Sequence, residues 1–109
     1  MSPVAKVNSL GELELEDLLI EWDDNKAEIN VRKHGIHFED AARIFLDENR
    51  IDFLDEKHSD DEERWKVIGM VKNILAVIYT ERGEKLRLSS ARYANREEED
   101  EYYGQYPYL

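Results

Sequence analysis

The chain contains no cysteine. Disulfides are therefore excluded, and so is any zinc site built on thiolates. It has no apolar run near the roughly 20 residues that a membrane span requires. Residues 1–10 lack the charged start and apolar middle of a secretory signal, so the cytoplasm is the expected compartment. Positive charge is also scarce: 15 Lys and Arg face 26 Asp and Glu, a net charge of −11. Taken as a total, that argues against a nucleic-acid partner, because phosphate contacts need Lys and Arg. The distribution says otherwise. Residues 47–63 carry two cations and nine carboxylates, whereas residues 64–96 carry eight cations and two carboxylates, a local charge of +6. At 109 residues the chain fits one domain with a single core.

What is present is organised around residues 22–35, W-D-D-N-K-A-E-I-N-V-R-K-H-G. Asp23 or Asp24 can cap a helix start, and Gly35 can end it in a left-handed turn. At 100° per residue, Asp23, Lys26, Asn30, Lys33 and His34 share one side of that helix. So short and polar a helix is marginal alone and must be held by its neighbours. A second helix is predicted over residues 38–46, where Phe38, Ala41, Ala42 and Phe45 form a core stripe at i, i+3, i+4, i+7.

Strands are predicted at residues 18–22, 51–54, 64–71, 74–80 and 85–90, with turns at Lys72-Asn73 and Arg82-Gly83. Those turns predict one buried face formed by Ile68, Met70, Leu75, Val77, Tyr79, Leu86 and Leu88. The other face would carry Trp65, Val67, Ile78, Thr80, Arg87 and Ser89. Half apolar and half cationic, such a face suits a substrate cleft or a protein partner. Residues 94–103 read as an acidic helix, so no basic recognition helix for DNA is present. Asp55, His58, Asp60 and Asp61 could be drawn together around a cation, but their spacing lacks the central glycine of a calcium loop. They are read as a solvated acidic loop, and neither a metal nor a cofactor is expected.

A series of motifs resembles a known family: W-D-x-x-K-x-x-x-N-x-x-K-H-G-I-x-F at residues 22–38, and F-x-D at 45–47. It continues as D-x-x-H at 55–58, E-R-W-x-x-I-G at 63–69, V-x-Y-T at 77–80 and R-x-x-S-A-R-x-A at 87–94. In order and spacing these resemble the BrnT-type toxins of bacterial type II toxin–antitoxin pairs, with Ser89 where that family usually has an aliphatic residue. The resemblance implies an α+β fold similar to RelE-type ribonucleases. In it, an antiparallel sheet of about four strands is packed by two N-terminal helices and a C-terminal helix. Residues 18–103 would form this domain, after a loose leader over 1–17 that contains the strand-like Leu13-Glu14-Leu15, and before a tail over 104–109. The resemblance further implies metal-independent mRNA cleavage that inhibits translation. It implies neutralisation by a ribbon-helix-helix antitoxin, through which alone operator DNA would be contacted.

Cleavage by the RNA's own 2′-hydroxyl needs a proton acceptor, cationic stabilisation of the phosphorane and a proton donor to the leaving oxygen. His34 is the natural acid–base group near neutrality, with Lys33 beside it as a charge stabiliser. Arg64 and Arg92 are phosphate clamps, and Glu63 is either a base or the group that orients Arg64. Lys26, Asn30, Arg87 and Ser90 complete the set as substrate-binding residues. A second function class uses the same fold without chemistry, as a module that only grips an antitoxin and co-represses its promoter.

Overall fold

In the computed structural model, residues 10–59 and 61–105 are described. Among the described residues β1 (Leu10–Leu15) and β2 (Leu18–Asp23) come first, and α1 (Asp24–His34) follows directly. Asp23 caps α1 by accepting from the N–H groups of Asn25 at 2.7 Å and Lys26 at 3.3 Å. Gly35 ends it at φ 71°, donating its N–H to the Val31 carbonyl, a conformation that suits a residue without Cβ. The second predicted helix is split: α2 (Phe38–Ala41) tightens into a 3₁₀ turn over Ala42–Leu46. Its apolar spacing still buries Phe38, Ala41, Ala42 and Phe45.

Next come β3 (Ile51–Leu54) and a short 3₁₀ turn (Glu56–His58). The chain then runs through β4 (Trp65–Val71), β5 (Asn73–Arg82), β6 (Lys85–Tyr93) and α3 (Arg96–Gly104). Among the described residues the sheet has six strands in the order β1-β2-β6-β5-β4-β3. It is mixed, since β2 pairs with β6 in parallel and every other pair is antiparallel. This corrects the expected antiparallel sheet of about four strands. The two N-terminal helices carry the chain to the far edge of the sheet, and four alternating strands return β6 beside β2 in the same direction. The segment expected as a loose leader supplies β1, an edge strand joined to β2 by a turn with Glu16 at φ 53°.

The expected face of β4 is corrected by one residue. Lys72 alone makes the β4–β5 turn, at φ 67°, so Val71 pairs with Asn73 and Val67 with Val77. Val67, and not Ile68 or Met70, therefore lies with Leu75, Val77, Tyr79 and Leu88 under the helices, where it is fully buried. Trp65 falls on that side as well.

The helical face holds the main core, with Trp22 edge-on to Phe38 at 6.1 Å and Phe45 edge-on to Tyr79 at 5.1 Å. Trp22 lies flat over Gly11, where any Cβ would collide with the indole. On the other face, α3 covers one half by packing Tyr102 on Ile68 and Ile74. The other half is left open.

Candidate functional site

On this open half lies a cavity of about 830 Å³, between the β3–β4 connection and α3. Alternation along the strands decides which side chains reach it. Lys66, Ile78 and Ser90 stand side by side, since Lys66 pairs with Ile78 and Ile78 with Ser90. Ser89, squeezed in at a bulge beside Ile78 and Tyr79, joins them at the wall. Arg64 enters just before β4, Arg92 from the end of β6, and His58 from the 3₁₀ turn after β3.

Asp55 and Glu101 also line the cavity, but one buried carboxylate fixes two of its cations. Glu98, 2% exposed, accepts from both Arg92 terminal nitrogens at 2.7 and 2.9 Å and from Lys66 Nζ at 2.8 Å. It also closes a capping box at the start of α3, accepting the Asn95 N–H while Asn95 accepts the Glu98 N–H. The Arg92 hydrogen bonds outweigh burial and, with Lys66, hold the Glu98 carboxyl down at about 2. The same contact raises Arg92. Two cations around one carboxylate leave a net positive charge whose two carriers are fixed in direction. Arg64 lines the same cavity, and among the described residues no carboxylate lies within ion-pair distance of it. His58, at the rim, directs Nδ1 toward Asp55, 3.0 Å from Oδ2. The ring's other nitrogen is thereby left for chemistry, as in any imidazole oriented by a carboxylate.

Of the residues singled out from the sequence, Arg64, Ser90 and Arg92 line the cavity. Lys26, Lys33 and His34 do not. They lie on α1, with both lysines exposed and His34 half-buried. Asn30, read as a substrate group, is 4% exposed and fully engaged with backbone. Its Nδ2 donates to the carbonyls of Ile36 at 3.0 Å and Ala91 at 2.9 Å, and its Oδ1 accepts the Ala91 N–H at 3.0 Å. Pairing of β2 with β6 stops at Leu88, so this amide takes the place of a neighbouring strand.

Ala91 faces the helical core, whereas Arg92 is the next residue and faces the cavity. One step along β6 therefore separates α1 from the cationic site. Glu63 is exposed and makes no ion pair with Arg64 among the described residues. Its neighbour Glu62 instead accepts from Arg82 through two 2.9 Å bonds. Arg87 shares the open face, but donates to Glu21. Lys66 and His58, the latter read from the sequence as part of a solvated acidic loop, were not among the catalytic or substrate-binding candidates. His58 had a signal in its i, i+3 spacing from Asp55, whereas Lys66 had none without the strand register. Among the described residues no cluster suited to a metal ion occurs, and Asp60 lies outside them.

A family profile described as "Ribonuclease toxin, BrnT, of type II toxin-antitoxin system" matches residues 22–98. Among solved structures, the chain is similar to the ribonuclease toxin BrnT of Brucella abortus, with 30% identity and a TM-score of 0.55. That similarity covers 69% of this chain and 94% of the Brucella chain. No curated protein matches.

Proposed function

The chain belongs to the BrnT family of ribonuclease toxins of type II toxin–antitoxin systems, and on that premise we propose that it cleaves mRNA in the open-face cavity without a metal. Arg64, with no carboxylate at ion-pair distance among the described residues, takes the scissile phosphate, whose two oxygens suit a guanidinium fork. His58, oriented by Asp55, moves the proton, as base toward the 2′-hydroxyl or as acid toward the leaving 5′-oxygen. Arg92 and Lys66, braced by Glu98, stabilise the extra charge of the phosphorane from fixed positions. Ser90 donates to a phosphate oxygen or the ribose from the cavity wall. Lys26, Lys33 and His34 have no step in this scheme.

The convergence of Arg64, Lys66, Arg92 and His58 on one cavity carries the reading. Translation stops in the cytoplasm when the chain is expressed alone, and a ribbon-helix-helix antitoxin restores it. Operator DNA is then bound only by that antitoxin. The test is an induced culture: wild type arrests protein synthesis, whereas Arg64→Ala at equal abundance does not. Unimpaired growth with wild type, combined with tight capture of the antitoxin, would establish the non-catalytic binding module instead.

A further inference from the structure

The open face extends beyond the cavity, and the same strand alternation continues across it. Arg64 immediately precedes Trp65, whose partner Tyr79 is followed by Thr80. Thr80 pairs with Arg87, Arg87 with Glu21 and Glu21 with Glu12. One row of side chains thus runs from a cationic end at Arg64 to an acidic end on the N-terminal hairpin. The two carboxylates are engaged. Glu21 accepts from Arg87 Nε at 2.7 Å and lies 2.6 Å from its Nη2, while Glu12 accepts from Lys85 Nζ at 2.7 Å. Lys85 also reaches Glu21 at 3.7 Å. Both glutamates precede Trp22, so they fall outside the segment that matches the family.

We infer that the β1–β2 hairpin is an acidic stop, which holds Lys85 and Arg87 in ion pairs and confines bound RNA to the Arg64 side of the open face. This rests on the open face being the RNA surface. A Lys or Arg that pairs with a phosphate releases a counterion from the RNA, so only cations free of their own carboxylate partners add to binding. Here Glu12 and Glu21 are tethered counter-charges, held at the two cations by strand pairing. An RNA strand leaving the cavity toward β2 meets side chains already neutralised and, beyond them, excess negative charge. Glu21, 5% exposed, is fixed by burial, but Glu12 and Lys85 are open to water and can be parted without disturbing the core.

Binding of an uncleavable, 2′-O-methyl single-stranded oligoribonucleotide to the full chain tests this. Glu12→Gln removes the close ion-pair partner of Lys85 and leaves it only Glu21 at 3.7 Å, while Glu16→Gln, in the β1–β2 turn, makes the same change in net charge without touching a cation of the open face. Glu12→Gln is expected to bind about three- to tenfold more tightly at low salt, with a log–log salt slope steeper by about 0.7, the value for one added phosphate contact. Glu16→Gln is expected to match wild type. Equal tightening by both variants, no tightening by Glu12→Gln, or no binding by any protein would overturn the inference. Arg64→Ala in the same titration separates the two readings. If it binds like wild type, the cavity is not the RNA site. If it binds weakly while Glu12→Gln equals Glu16→Gln, only the hairpin's role is lost.

Discussion

At the scale of single residues, Glu98 and Asn30 each serve several elements at once. Glu98 holds two cations and the start of α3. Its carboxyl, held at about 2 by Arg92 and Lys66, lies well below its usual value of 4.5. A depressed carboxyl stabilises the fold above the unfolded value and loses that contribution as pH falls from about 4.5 toward 2. Discounted for water at Arg92, which is 37% exposed, this amounts to about 2–3 kcal/mol. Wild type should therefore lose that much stability across the window in denaturant titrations, and Glu98→Gln should lose less. At neutral pH, Glu98→Gln leaves Arg92 and Lys66 facing each other and should cost about 3 kcal/mol. Asn30→Ala would strip partners from Ile36 and Ala91 together, for a loss of about 2–3 kcal/mol by thermal or urea unfolding. A polar stripe at helical spacing does not distinguish such a buried amide from a substrate ligand. Asn30 and Lys26 look alike in sequence, and only the place where β2 leaves β6 tells them apart.

Among the elements, those with local causes were legible. α1 has its Asp cap and Gly stop within 13 residues, and the i, i+3, i+4, i+7 stripe marks the second helix even though its later turn is 3₁₀. What depended on distant pairing was not. The parallel contact of β2 with β6 joins residues 66 apart, and no local pattern announces it. The β4 register hinged on whether one or two residues made the turn at Lys72, and a single left-handed residue moved every β4 side chain to the opposite face. This placed Lys66 in the cavity and Val67 in the core, the reverse of the expected pattern. Of β1 only Leu13-Glu14-Leu15 was legible as strand-like, and the strand's place is secured by Trp22 lying on Gly11. Gly11→Ala should therefore detach the edge strand β1 from β2. Expected effects are a loss of about 1–3 kcal/mol and faster amide exchange in residues 10–15, with the β4–β6 amides unaffected.

For the whole molecule, a net charge of −11 coexists with a cavity where Lys57, Arg64, Lys66 and Arg92 outnumber the carboxylates of Asp55 and Glu101, because most acidic residues lie elsewhere or are bonded to cations. The sequence showed the basic middle third, but not that Glu98, Glu21, Glu12 and Glu62 each hold one or more of its members. Nor did it show that α1 and the arginines lie on opposite sides of one sheet. On the proposed function, RNA cleavage is carried by the open-face set around Arg64 and His58, and not by the lysines and histidine of α1. Single-turnover cleavage of one RNA in excess chelator, with purified His58→Ala, Arg64→Ala, Lys33→Ala and His34→Ala, tests it most directly. Rates should fall about 100-fold or more for the first two and stay within about twofold of wild type for the last two. Full activity in His58→Ala and Arg64→Ala, with loss in Lys33→Ala or His34→Ala, would move the chemistry to the other face and contradict the account.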